Sequence, residues 1–281
     1  MKKIGYIDYY LDEYHAHKGF VSLKELNEEN GTDYQITHVW AEKDKEGGLS
    51  TAEFCEKYGV EACSTIAELT EKVDYIIILS PDNSERKLDF AKEALKAGKP
   101  VFLDKTFTDS YASAKEIFET AKKYNTPFFS ASSLRYATEL SSYTGTADSL
   151  LVWGSGVDMI DYAVHYLEIL MKTMGMGVKS VRWELRGDQE WVDVAYADGR
   201  KATIVISMGG DYFGFYVFPT QNGHSAYLPI ASNIFKLQMA DVLRFFETGV
   251  VSFDANETLE IMKVRDAILQ SKSLKGACIE L

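Results

Sequence analysis

Over the first ~125 residues the chain switches repeatedly between two periods, short apolar runs alternating with segments of helical spacing. Ile4–Ile7 reads as a strand and Phe20–Asn30 as a helix closed by Gly31. "YQITHVWA" (34–41) is rich in strand formers. "STAEFCEKYGV" (50–60) opens with Ser50 as a helix cap and Glu53 three residues later, a capping-box pattern that "STIAELTEK" (64–72) repeats. "DYIIILSP" (74–81) is a continuous apolar run ended by Pro81, the kind of strand covered on both faces. A helix over 83–99, with Leu88, Ala91 and Leu95 on one face, leads to a strand "PVFLDKTF" (100–107). A helix over 110–125 and a strand "TPFFSAS" (126–132) complete the series. Strands separated by helices imply βαβ units and a parallel, doubly wound sheet, which binds ligands at the carboxyl ends of its strands. Asp8, Glu42, Ser80, Asp104, Lys105 and Ser130 stand at those ends.

The pattern then changes. A helix at about 157–174 precedes the strand-like segments "KSVRWELRG", "WVDVAYADG", "KATIVISMGG" and "YFGFYVF". Asp198-Gly199, between two alternating runs, is a hairpin signal, and the last ~50 residues return to helical spacing. The expectation is an α/β Rossmann-type domain over 1–126, then an α+β domain over 127–281 with an open antiparallel sheet.

Composition narrows the function. With 46% hydrophobic and 26% charged residues among 281, the chain has the make-up of a folded globular protein. Its apolar runs are far too short to span a bilayer, and "MKKIGYIDYY" lacks the apolar stretch and cleavage site of a leader, so a cytoplasmic protein is expected. The net charge of −12 and the absence of any basic run disfavour nucleic acid and anionic membranes as partners. The three cysteines show no metal-type pairing, and Cys55 reads as a small apolar residue. The 17 Tyr and 4 Trp can line a sugar or polyol site or simply pack a core.

Two motifs carry candidate chemistry. In "LDKTF", Asp104 and Lys105 end an apolar strand, where a lysine can hold a substrate hydroxyl or be an ordinary surface residue. In "DMIDYAVHYLE", Asp161, His165 and Glu168 share a helical face, so Asp161 can tune His165 as an acid/base near neutral pH. A structural Asp–His pair is the alternative. A metal site is disfavoured, since no further ligands lie at suitable spacing. "SPDNSE" (80–85) reads on its own as a strand end and helix cap.

Taken together these segments resemble the glucose-fructose oxidoreductase / inositol dehydrogenase (Gfo/Idh/MocA) family along nearly the whole chain. "FCEKYGVEACSTIAELTEKVDYIIILSPDN" is similar to that family's F-A-x-K-Y-G-V … D-V-D-A-V-V-I-A-T-P-N. "AKEALKAGKPVFLDKTF" is similar to A-L-x-A-G-K-H-V-L-C-E-K-P-L, and "DYAVHYLEIL" to D-x-G-x-H-x-I-D-L-L. The resemblance implies NAD(P)-dependent oxidation or reduction of a sugar, polyol or related hydroxyl; some relatives use transient oxidation to cleave glycosides. Lys105 and His165 would hold the reacting hydroxyl, with His165 exchanging its proton. Asp161 would position substrate or histidine, and Arg135, in "SSLRY", would touch substrate or cofactor.

One segment departs from the family. Its three phosphate-loop glycines would fall at about Asp8, Tyr10 and Glu13, in a turn that here carries three acids and no glycine. Asp8 puts a like charge beside a pyrophosphate. Tyr9 and Tyr10 would stack on a ring or pack the loop. Glu42 is placed to accept ribose hydroxyls and to favour NAD over NADP, and Ser80, Asn83 and Asp104 complete the expected cofactor contacts. Thr106 stands where the family has proline. Two functions follow: an NAD(P)-dependent sugar or polyol oxidoreductase with an altered phosphate grip, or a non-redox sugar- or partner-binding protein without dinucleotide. A homodimer or homotetramer through the second domain's apolar sheet face is expected.

Overall fold

The structure, a computed structural model, describes residues 1–208 and 214–281. It divides into two compact units, Met1–Ala131 with Phe235–Ala255, and Ser132–Ile234 with Asn256–Leu281.

In the first unit β1 (Lys2–Asp8), β2 (Tyr34–Ala41), β3 (Glu61–Ala62), β4 (Tyr75–Ile78), β5 (Val101–Asp104) and β6 (Phe128–Ala131) form one sheet. Its order is β3-β2-β1-β4-β5-β6, every pair parallel. The order reverses between β1 and β4, which places the ligand-binding crevice of this fold beside Asp8 and the residues following β4. The crossovers are α1 (Tyr14–Asn30), α2 (Thr51–Tyr58), α3 (Ile66–Lys72), α4 (Lys87–Ala94) and α5 (Tyr111–Tyr124). The Ser50/Glu53 capping box forms as expected. Helix α1 begins six residues earlier than the apolar spacing predicts, because Glu13, in extended conformation, caps it with its side chain.

The second unit carries β7 (Ser149–Gly156), α6 (Met159–Met174), β8 (Val178–Arg186), β9 (Gln189–Tyr196), β10 (Lys201–Met208), β11 (Phe215–Gln221), β12 (His224–Ser225) and β13 (Leu228–Pro229). Helix α8 (Asn256–Ser273) and strand β14 (Ile279–Glu280) complete it, after α7 (Ile234–Thr248). The sheet runs β12-β11-β7-β10-β9-β8-β14, with β13 beside β11. It is mixed rather than wholly antiparallel, because β7, which the sequence pattern did not single out, pairs with β10 in parallel. Helix α6 and two further strands separate β7 from β10, so no tight turn forces them antiparallel. The Asp198-Gly199 hairpin forms, joining β9 to β10 with Gly199 at φ 94°. The expected strands "KATIVISMGG" and "YFGFYVF" fall partly on 209–213, outside the described residues. Val152, Val192, Ile204 and Ile206 of the sheet pack with Leu167 and Leu170 of α6 and Ile268 of α8.

The expected domain boundary at 126/127 falls one strand short of the first unit. β6 completes the parallel sheet in register with β5, from Val101↔Phe128 to Asp104↔Ala131. Helix α7 also returns to this unit: Gln238 Nε2 donates to the Ala131 carbonyl at 2.8 Å, and Phe245 meets Phe129 edge-on.

Candidate active site

The turn after β1 is built from acids. Asp8 is 1% exposed, and its Oδ1 accepts from Tyr9 N (2.7 Å), Ser80 N (2.9 Å) and Ser80 Oγ (3.1 Å). Ser80 sits at φ 54° just beyond β4, so these bonds tie β1 to β4 across the strand-order reversal. Burial pushes the Asp8 carboxyl up to about 7, and its Oδ2, also buried, meets no hydrogen-bond partner among the described residues. Glu13 is likewise buried, and its carboxylate accepts from His15 N at 2.6 Å and from Ala16 N. Those amides belong to the first turn of α1, where the helix backbone itself offers no acceptor, and are the groups on which such folds seat a phosphate. Burial, with the charge of Asp8, raises Glu13 well above the usual carboxylate range.

The other expected cofactor contacts are dispersed. Tyr9 and Tyr10 tilt against each other with ring centres 5.5 Å apart, and Lys43 and Lys45 lie over their respective rings at 4.6 and 5.3 Å. Glu42, at the end of β2, is exposed and paired with Arg86 Nε at 2.9 Å. Asn83 precedes a short 3-10 turn, Ser84–Arg86, and its side chain donates to Glu85 at 3.4 Å.

At the end of β5 the sequence candidates gain partners it had not supplied. Asp104, 2% exposed, meets Nδ1 of His15, 89 residues away. Burial pushes its carboxyl up, but His15, Lys87 and Lys105 outweigh that and hold it below the ordinary value. Lys87 is completely buried and donates to three consecutive carbonyls, Asp104 (2.6 Å), Lys105 (2.9 Å) and Thr106 (2.9 Å). Burial drives its amine down to about 7. Lys105 and Thr106 are themselves buried, and the peptide between them is cis. Lys87 had a sequence signal: it precedes Ala91 and Ala94 by four and seven residues, on the buried face of α4. His15 had none.

In the second unit α6 brings two of its three candidates onto one segment. His165 Nδ1 lies 2.6 Å from Ser132 Oγ, while Glu168 Oε1 accepts from Ser132 N at 2.9 Å. Arg135, 4% exposed, donates from Nε to Glu168 at 2.5 Å and from its terminal nitrogen to Glu257 at 2.5 Å. Burial raises the Glu168 carboxyl even against the neighbouring guanidinium. Asp161 is half-buried in the first turn of α6, whose cap is Asp158. Arg135 is thus a buried tie between α6 and α8. Among the described residues no three His, Cys, Asp or Glu side chains are arranged to hold a metal ion.

Residues 16–132 match the model of the Gfo/Idh/MocA oxidoreductase family, described as an NAD-binding Rossmann fold. The match falls within the parallel-sheet unit and its continuation into Ser132. No curated protein matches the sequence, but solved structures share the fold of the whole chain. A probable dehydrogenase from Thermotoga maritima aligns at TM-score 0.82 and 14% identity, over 99% of this chain and 98% of its own. A putative myo-inositol dehydrogenase from Sinorhizobium meliloti 1021 aligns at 0.79 and 14%, over 100% and 99%. A gentamicin A biosynthesis protein in complex with NAD aligns at 0.80 and 13%, over 100% and 97%.

The matching model is that of a dinucleotide-binding fold, and the residues of this chain fit a dinucleotide unevenly. Glu42, Ser80, Asn83 and Lys105 follow the carboxyl ends of β2, β4 and β5, where such folds bind their ligands. A pyrophosphate resting on α1 does not fit: Glu13 holds those amides and Asp8 is buried beside it.

Proposed function

We propose that the protein is an oxidoreductase acting on a hydroxyl of a sugar, polyol or related small molecule in the cytoplasm, with NAD preferred over NADP as redox partner. The observation that carries the reading is the match of residues 16–132 to an NAD-binding family's model, with Asp104-Lys105 at the end of β5. Lys105 would stabilise negative charge on the substrate oxygen. His165, its Nδ1 engaged by Ser132 Oγ, would exchange the hydroxyl proton through Nε2. Asp161 would orient the substrate. Glu42 would repel the 2′-phosphate of NADP, so tighter binding of NADPH than NADH would overturn that preference. The reading requires a dinucleotide whose pyrophosphate lies off α1.

The test is a panel of sugars, inositols and sugar acids, with NAD reduction followed by absorbance and NADH binding by calorimetry. A substrate-dependent rise in NADH is expected; silence in both measurements sinks the reading. The self-capped α1 favours a second reading, a non-redox protein on the same scaffold that binds a sugar-like ligand or a partner. Under either reading we propose a homodimer or homotetramer. On the second sheet Leu151 and Tyr227 are exposed, and Trp153, Tyr216 and Tyr227 form a stacked aromatic row. A monomeric mass by light scattering at micromolar concentration would contradict it.

A further inference from the structure

The β1–α1 turn carries an inference that deepens the redox reading and is tested apart from it. Three features converge there. The first-turn amides of α1, from His15 and Ala16, are already bonded to the Glu13 carboxylate. The crevice between β1 and β4 is laced by Asp8 to the amide and hydroxyl of Ser80, and Tyr9 N also donates to Ser80 Oγ at 2.9 Å. Independently of the helix end, Asp8 Oδ2 is a buried carboxyl oxygen with no partner among the described residues, so whenever Asp8 is ionised this corner lacks a hydrogen-bond donor, not an acceptor. A phosphate brings acceptors and negative charge, the opposite of what the corner lacks.

We infer that the chain's own Glu13 carboxylate permanently occupies the phosphate seat of this Rossmann domain, so no dinucleotide pyrophosphate is held on α1. Glu13 serves the amides of α1 as an incoming phosphate would, with the difference that it is covalently part of the chain and cannot leave. An entering pyrophosphate would have to displace Glu13 from two amides and then lie against both Glu13 and Asp8. The basic groups of the corner are already committed: Lys87 to the carbonyls of 104–106, and His15 to Asp104.

The experiment uses the full chain and three probes: NADH, ADP-ribose and inorganic pyrophosphate. Calorimetry is combined with hydrogen exchange over the segment containing His15 and Ala16, for wild type, Glu13→Gln, Glu13→Gly and the double variant Asp8→Asn/Glu13→Gly. In wild type, pyrophosphate gives no heat up to about 1 mM, and no probe changes exchange at His15 and Ala16. The double variant gains at least about tenfold in affinity for pyrophosphate or ADP-ribose and becomes protected at those amides. Glu13→Gln, which keeps an acceptor for the helix start, gains less and controls for folding. Wild-type protection of His15 and Ala16 by any probe overturns the inference, as does a folded double variant that gains nothing. If wild type binds NADH without touching those amides, both the inference and the redox reading stand. If it binds no dinucleotide and reduces none with any substrate, the inference stands and the redox reading falls.

Discussion

Both units bury carboxylates, and Glu168 in the second is held differently from Asp8 and Glu13 in the first. In the second, Glu168 faces a guanidinium: Arg135 lies against one of its oxygens and Ser132 N against the other. In the first, Asp8 and Glu13 lean on backbone amides and a serine hydroxyl and lie within electrostatic reach of each other. A buried ion pair is held by opposite charge and fails when one partner is removed. Buried carboxylates with no cation hydrogen-bonded to them are held by dipoles and are relieved by taking up protons. The second unit's arrangement is therefore a fixed strut, and the first unit's is a site whose charge depends on its surroundings.

The sharpest break in that comparison is catalytic. If α6 presents the acid/base, His165→Ala lowers turnover by ~10²–10⁴-fold in any assay that finds a substrate. Lys105→Ala does comparable damage. A His165→Ala variant with near wild-type turnover removes α6 from the chemistry.

Next in size is the strut itself. Arg135→Ala leaves Glu168 buried with the Ser132 amide but without its cation, and destabilises by about 3–5 kcal/mol in urea unfolding. Adding Glu168→Gln removes the stranded charge and recovers part of the loss. A cost below ~1 kcal/mol for Arg135→Ala, the range of an exposed pair, would break the contrast between the units.

Smaller again is the cap. Glu13→Ala removes the acceptor of two first-turn amides but also one of two mutually repelling acids. Its cost is about 0.5–2 kcal/mol, below that of Arg135→Ala. A larger cost would make Glu13 as rigid an element as the buried ion pair.

The last difference lies in the shape of a pH curve. Asp8 titrates at about 7 in the folded chain against an ordinary 3.8, so between those values the folded state holds the extra proton. Its contribution to stability is present at low pH and lost as pH rises through 7. Glu13, raised for the same reason, acts in the same direction. Lys87 titrates at about 7 against 10.5, so over that interval the unfolded chain holds the extra proton and stability rises with pH. Together these groups place a minimum near neutral pH. Urea midpoints at pH 5, 7 and 9 test it: Asp8→Asn flattens the acid limb, Lys87→Met the alkaline one. Unchanged slopes in both variants would show that neither group titrates as the structure implies.

Much of this was legible in the sequence. The alternation of periods gave the parallel sheet, because βαβ units write their structure locally, and the strand-end position of Lys105 followed from it. What escaped is non-local or atypical. The start of α1 was missed because its cap is a glutamate and its first buried residues, Ala16 and Gly19, carry little apolar signal. β7 was missed because the apolar run of "SLLVWGSG" is only Leu150–Trp153, it ends in Gly-Ser-Gly, and it pairs in parallel with a strand about 50 residues later. Neither His15–Asp104 nor the ties of Ser132 and Arg135 to α6 follow any periodicity.

Lys87 has a use beyond its place under β5. An amine-reactive reagent meets it only when α4 lifts away and its three carbonyl bonds open, because the folded chain gives it no exposure at all. Its labelling rate, read by mass spectrometry against that of solvent-facing lysines, is therefore a built-in clock for local opening beneath Asp104-Lys105-Thr106. A ligand that settles on this loop would slow that clock before any reaction is assayed, so Lys87 can report occupancy independently of turnover.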